Sequence, residues 1–126
     1  QIATRIDTNS AMQIRTNITA QTTLRAPVIK VYISKLDGLV VWSSTSHRAD
    51  GKVGNMQESV TATIDIPRLP LLEGTYYISV ACTDATGTTE YDHCQNWVRF
   101  DVHQNDLFEE GLVAVPSSWN IERHAK

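Results

Sequence analysis

Apolar and polar residues alternate along most of this chain with a period of two, which is the period of a β-strand rather than of a helix. In one such segment Ile29, Val31 and Ile33 fall on one side, and Lys30 and Tyr32 fall on the other. Seven segments show this alternation or a short apolar run, and they are residues 11–18, 28–34, 39–42, 60–66, 76–83, 97–102 and 112–115. The pattern predicts strands that each place one face on a core and the other in water.

Turn-forming residues separate the predicted strands. Asp37-Gly38 is a turn signal, and Pro67 and Pro70 bracket a connection that cannot be a central strand. Seven to eight short strands with no helical segment predict an all-β, immunoglobulin-like antiparallel β-sandwich. Because the 126 residues match one ordinary domain, we predict a single domain over residues 1–126. Whether residues 1–6 add to a sheet edge stays open.

Charge and composition argue against several classes of protein. The 11 basic and 14 acidic residues are mixed along the chain and give a net charge of −3, without the basic stripe that follows a nucleic-acid backbone. No apolar run approaches the ~20 residues of a membrane-spanning helix. We therefore expect neither nucleic-acid binding nor direct membrane insertion.

The sequence lacks the common motifs of catalytic and metal sites. It contains no Walker-type or dinucleotide-binding glycine loop, no G-x-S-x-G elbow and no H-E-x-x-H pair. Asp92, His93 and Cys94 are adjacent in the chain, which is not the paired spacing of a zinc site. Glu109 and Glu110 are neighbours in a predicted linker rather than two carboxylates facing each other across a cleft. We predict a protein that is not an enzyme and that uses no cofactor and no metal.

Two cysteines bear on the cellular compartment. Eleven residues separate Cys82 from Cys94, and Trp42 precedes both, unlike the Cys…Trp…Cys order of antibody domains. We interpret the two cysteines as reduced, buried thiols of a cytoplasmic protein.

An ordered set of segments resembles a known family. The segments are residues 27–33, 37–42 with 44–45, 60–66, 71–80 (beginning LLEGTY), 84, 87, 91–92, 100–102, and 111–115 with Trp119. In this order and spacing, residues 7–120 resemble the C-terminal carbohydrate-binding domain of Wzt, the nucleotide-binding subunit of O-antigen polysaccharide ABC exporters.

The resemblance implies a function and a location. It implies a cytoplasmic immunoglobulin-like sandwich that captures the modified, non-reducing end of a finished O-antigen polysaccharide before export. The full-length protein would carry its ATPase domain upstream and would join the membrane exporter subunit at the inner face of the inner membrane.

The resemblance also implies a homodimer, in some members formed by exchange of the last strand. Here the linker and the exchanged strand would lie within residues 105–120. An ordinary return of that strand within one chain remains the alternative. Trp42 and Trp119 are expected in core or interface packing.

Strand parity points to a binding face. Sugars present C–H groups on their faces and hydroxyls at their edges, so a site needs aromatic rings together with planar or charged polar groups. If three of the predicted strands are neighbours in one sheet, its outer face carries seven suitable residues: Lys30, Tyr32, Tyr77, Ser79, Gln95, Trp97 and Arg99. We predict that these residues bind the glycan, with Lys30 and Arg99 suited to an acidic or phosphorylated end.

Each of these residue assignments has a structural alternative. Tyr32 and Tyr77 could be cross-strand packing partners that only cover the sheet. A β-bulge or a one-residue slip could turn Trp97 inward. Arg99 could simply pair with Asp101 or a neighbouring carboxylate, and an exposed pair of this kind is worth only ~0–1 kcal/mol.

A function of a different class is also compatible with the sequence. The chain could be an immunoglobulin-like structural spacer or adhesin module of a secreted protein. A disulfide between Cys82 and Cys94 would favour that alternative.

Overall fold

A computed structural model describes residues 4–19, 27–46, 59–84, 90–104, 108–122 and 124 of the 126-residue chain. Side chains are described for residues 5–18, 27–46, 61–84, 98–104, 108–122 and 124. Seven strands are present: β1 (Thr4–Asp7), β2 (Met12–Thr19), β3 (Val28–Ser34), β4 (Val40–Thr45), β5 (Ser59–Ile66), β6 (Gly74–Thr83) and β7 (Glu90–His103). The described ranges contain no α-helix, so the predicted all-β class is confirmed.

The strands form two sheets. One sheet has five strands in the order β1-β7-β6-β3-β4, and the other pairs β2 with β5. Every neighbouring pair is antiparallel except β1 and β7, which run parallel. The immunoglobulin-like sandwich expected from the strand spacing is therefore present, with one parallel edge that the alternation did not predict.

The structure answers one open question about the strands and corrects one prediction. Within residues 1–6, whose role at a sheet edge the sequence does not determine, Thr4 begins the edge strand β1 (Thr4–Asp7) beside the end of β7. Residues 112–115 were predicted to be a strand, but they contribute only an isolated bridge between Val113 and Leu71. Local alternation identifies an extended segment, but long-range pairing decides whether that segment joins a sheet.

The hydrophobic core lies between the two sheets and follows the predicted parity. Val31 and Ile33 of β3 are buried against the inward residues of β2, β6 and β7. The buried cluster consists of Met12, Ile14, Val31, Ile33, Leu69, Leu71, Tyr76, Ile78, Phe100 and Val102. The alternate positions on each strand are thereby left for the opposite faces of the sheets.

The turn between β3 and β4 is well defined. Gly38 has a φ of 94°, a conformation that L side chains rarely adopt. Gly38 N donates to the Lys35 carbonyl at 3.0 Å, Lys35 N donates to the Leu39 carbonyl at 2.9 Å, and Leu39 N donates to Asp37 Oδ1 at 3.0 Å. The predicted Asp37-Gly38 turn is confirmed, and it makes β3 and β4 neighbours.

Tyr76 ties one end of the five-stranded sheet to the loop before it. Its side chain is fully buried, its hydroxyl donates to the Leu72 carbonyl at 2.8 Å, and its ring stacks on Phe100 with centroids 5.6 Å apart. Lys35 Nζ lies 4.6 Å from the centroid of the Tyr76 ring. Gly74 leaves room for this contact, since a Cβ there would lie 3.0 Å from Lys35 Nζ. The arrangement resembles the tyrosine corner of immunoglobulin folds.

We predict that Tyr76→Phe lowers the free energy of unfolding by about 1–3 kcal/mol, because the buried Leu72 carbonyl loses its donor. Urea denaturation followed by tryptophan fluorescence measures the change. Tyr77→Phe is the matched control, because Tyr77 is the next residue along β6 and lies on the opposite face. Equal effects of the two substitutions would contradict the anchoring role of the Tyr76 hydroxyl.

Candidate functional site

The three strands that carry the candidate residues are neighbours in the five-stranded sheet, in the order β7-β6-β3. Tyr32 pairs with Ser79, and Tyr77 lies between Ser34 on one side and Arg99 on the other. Residues paired in this way share a face of the sheet. We call the side of this sheet that points away from β2 and β5 the outer face. Its described members are Arg5, Asp7, Val28, Lys30, Tyr32, Ser34, Val40, Ser43, Thr45, Thr75, Tyr77, Ser79, Ala81, Thr83, Arg99, Asp101 and His103.

The centre of the outer face is a floor of small side chains flanked by two aromatic rings. Ser34, Ser79 and Ala81 are buried there, whereas Tyr32 and Tyr77 are half-buried. The register offsets the two tyrosines by two residues and one strand, so their Cα atoms lie roughly 8 Å apart. Ser79, expected to be presented to water, is only 4% exposed and belongs to this floor.

Lys30 lies against one of the two rings. Its Nζ atom is 4.9 Å from the centroid of the Tyr32 ring, within the range of a cation–π contact. The two residues are alternate positions on β3, so the contact runs along one strand of the outer face. The ammonium group therefore covers part of a ring that a sugar could otherwise approach.

Arg99 belongs to a polar network at the other end of the floor. Its Nη2 atom lies 3.4 Å from Asp101 Oδ1, and Thr75 Oγ1 on β6 donates to the same Asp101 oxygen at 2.8 Å. The Thr75 hydrogen bond holds the pKa of the Asp101 carboxyl below its usual value, and the nearby charge of Arg99 adds to that effect. The Arg99–Asp101 pairing considered from the sequence is thus present, and the Arg99 side chain stays half-exposed beside Tyr77.

Gln95 and Trp97 lie on β7, but their side chains are outside the described residues. Val98 pairs with Ile78 and Cys94 pairs with Val80, so three residues of β7 face the single residue Ser79. This irregularity falls on the segment where a bulge was considered as an alternative. Because a bulge interrupts alternation, parity does not determine which way these two side chains point.

Two residues of the outer-face network were missed in the sequence. Thr75 and Asp101 are cross-strand partners, and both occupy outward positions of their strands. The Thr75 position lay outside the predicted strand of residues 76–83, which the structure extends to Gly74. Asp101 was considered only as a partner of Arg99, although the outward parity of residues 97–102 already placed it on this face.

A separate cleft of about 400 Å³ opens between the sheets where β4 and β5 face each other. Trp42 and Ile64 line it and are half-buried, whereas Met12 and Ile14 on β2 are buried. The sandwich is therefore closed along β2 and open along β5. Trp42 packs against the core, as expected from the sequence.

Among the described residues, backbone hydrogen bonds join the segment after β7 to the loop before β6. Leu72 N donates to the Leu112 carbonyl at 3.0 Å, and Ala114 N donates to the Pro70 carbonyl at 2.8 Å. Phe108 is 98% exposed and Trp119 is 89% exposed, so Trp119 does not pack in the core of its own chain. Both residues border a surface groove of about 760 Å³.

Three further observations concern the cysteines, metal binding and membrane-spanning helices. Cys82 is buried, whereas the side chain of Cys94 is outside the described residues. Within the described ranges, no cluster of three His, Cys, Asp or Glu residues could hold a metal ion. That same part of the chain includes no helix with the length and apolar character needed to cross a membrane.

Comparison with known proteins places the chain among sandwiches of this kind. A solved structure of the C-terminal domain of Wzt superimposes with a TM-score of 0.79 at 16% sequence identity, covering 94% of this chain and 74% of that one. The CARDB domain of a Pyrococcus furiosus protein, solved in complex with di-metal ions, gives a TM-score of 0.50 at 15% identity, covering 82% of this chain and 87% of that one. At these identities the likeness shows the fold alone, and no curated protein matches.

The family model of the Wzt C-terminal domain matches residues 1–115. That range takes in all seven strands and both half-buried tyrosines of the outer face. The resemblance noticed in the sequence is confirmed, and the chain belongs to the Wzt C-terminal domain family.

Proposed function

We propose that the outer face binds the non-reducing end of an O-antigen polysaccharide and thereby couples a completed glycan to its ABC exporter. Membership of the Wzt C-terminal domain family supports a carbohydrate-binding role in O-antigen export. The observation that carries the more specific proposal is the gathering of Tyr32, Tyr77, Lys30 and Arg99 on one face by the β3-β6-β7 register.

The chemistry of this face suits a sugar chain. The Tyr77 ring and the part of the Tyr32 ring that Lys30 leaves uncovered offer apolar platforms for the C–H faces of sugars. The guanidinium of Arg99 offers several N–H donors to hydroxyl oxygens. Ser79 forms the floor between the rings, and Gln95 and Trp97 would complete the site from β7. A wrong terminus would leave polar groups of the site unpaired, which is a strong source of discrimination.

Binding without catalysis is the mechanism that we infer. The domain samples the end of the glycan in the cytoplasm, at the inner face of the inner membrane, and the full-length transporter supplies ATP hydrolysis and transport. The alternative of a structural spacer or adhesin module of a secreted protein is weakened by family membership.

We also propose that the domain forms a homodimer through residues 105–120, either by packing this segment against its copy or by exchanging its strand. Full burial of Phe108 and Trp119 would remove about 300–500 Å² of surface from water. That is roughly half of the ~800 Å² per partner in a standard interface. The few backbone bonds that hold the segment to residues 70–72 of its own chain would be lost in an exchange and remade with the partner.

We expect Tyr77→Ala and Tyr32→Ala each to weaken binding of the parent organism's O-polysaccharide by at least about fivefold, since a truncated platform at a binding hot spot costs ~1 kcal/mol or more. Isothermal titration calorimetry measures the affinity, with and without the terminal modification of the glycan. Thr63→Ala on the exposed face of β5 serves as the control and should bind like the unaltered protein. Unchanged affinity in both tyrosine variants, with the fold intact by circular dichroism, would remove the outer face from consideration.

For the dimer, we expect a mass of two chains in solution at micromolar concentration and a shift to one chain in the double variant Phe108→Asp, Trp119→Asp. Analytical ultracentrifugation gives the mass directly. Leu36→Asp is the control, because Leu36 is an exposed apolar residue of the β3–β4 turn, outside residues 105–120. A monomeric mass for the unaltered protein at tens of micromolar would count against this interface.

A further inference from the structure

The basic side chains of the outer face each lie against a partner within the chain. Arg99 Nη2 is 3.4 Å from Asp101 Oδ1, and Arg5 Nε is 3.9 Å from Asp7 Oδ1. Lys30 Nζ lies over the Tyr32 ring. On the described part of this face, both arginines are therefore paired with a carboxylate before any ligand arrives, whereas Lys30 keeps its charge above an uncharged ring.

The carboxylate of Asp101 contacts both Thr75 and Arg99. The register of β6 and β7 places Thr75 directly opposite it, and the Thr75 hydroxyl donates to its Oδ1 atom. The carboxyl is thereby kept ionised and oriented toward Arg99, in keeping with its lowered pKa. Arg5 on β1 is its register partner on the other side, and His103 is the next outward residue on β7.

The pairing with Asp101 changes which ligand groups the Arg99 guanidinium can recognise. A guanidinium has five N–H donors, so pairing with one carboxylate oxygen leaves donors for other acceptors. The hydroxyl of a sugar accepts such a bond without competing for charge. An acidic group would have to displace Asp101 or approach within a few ångströms of it, and like charges at that distance repel each other.

We propose that Asp101 is a specificity-determining residue that makes the outer face select uncharged glycan ends over acidic or phosphorylated ones. This inference rests on the proposed function and refines it, since Lys30 and Arg99 by themselves suit an acidic end. Asp101 positions the guanidinium of Arg99 as a donor to hydroxyls and cancels its attraction for anions.

The test compares synthetic oligosaccharides of the parent O-polysaccharide that differ only at the non-reducing end, which carries a hydroxyl, a phosphate or a carboxylate. The unaltered protein should bind the hydroxyl end more tightly than either anionic end. In Asp101→Asn the ratio of hydroxyl-end to anionic-end affinity should fall roughly 2- to 5-fold, the range expected of a half-exposed charge pair. Binding of the anionic ends to this variant should also weaken with added salt more steeply than in the unaltered protein.

Asp65→Asn is the matched control, because it makes the same change in net charge on the exposed face of the other sheet, where Asp65 accepts a hydrogen bond from Gln13. It should leave the affinity ratio unchanged. The ratio is the decisive readout, since simple loss of structure would weaken all three ligands together.

The outcomes separate this inference from the proposed function. If Arg99→Ala weakens binding but Asp101→Asn leaves the ratio unchanged, or if the unaltered protein prefers the anionic ends, the selectivity inference is overturned and the glycan face stands. If none of the oligosaccharides binds, or if Arg99→Ala and the tyrosine variants leave every affinity unchanged, both proposals fall.

Discussion

The buried bond from the Tyr76 hydroxyl to the Leu72 carbonyl fixes how the five-stranded sheet joins the rest of the domain. It holds the loop before β6 against the ring that stacks on Phe100, and so it aligns β6 with β7 in the core. The direction of the Tyr77 side chain follows from that of Tyr76. With Tyr76 inward, Tyr77 must point outward, because side chains alternate along a strand.

The same register that builds the core also builds the outer face. Each inward pair, such as Tyr76 with Phe100, implies an outward pair one residue away, such as Tyr77 with Arg99. A slip of one residue would bury the charged pairs and expose the aromatic core, at a cost far above the stability of a small domain. Core packing therefore supplies the rigidity that holds the outward rings and charges in place, which is what a preorganised binding surface requires.

Two irregular regions lie next to surfaces that a ligand or another chain could reach. On β7 three residues, 95–97, lie opposite the single residue Ser79 of β6. The strand therefore departs from strict alternation next to the floor of the outer face. Between β4 and β5 the sandwich stays open, and inward residues such as Ile64 remain half-exposed. Bulges and open edges are common where a sheet meets a ligand or another chain.

The sequence by itself determined the all-β class, the inward parity of residues such as Val31 and Phe100, and the outward parity of Tyr32, Tyr77 and Arg99. These follow from a local property, the two-residue repeat of an extended chain in contact with a core. Only the tertiary structure decided that β3, β6 and β7 are neighbours, that β1 runs parallel to β7, and that residues 112–115 make a single bridge. It also decided that Thr75 fixes Asp101 beside Arg99, because hydrogen bonds between strands depend on a register set by packing far away in the sequence.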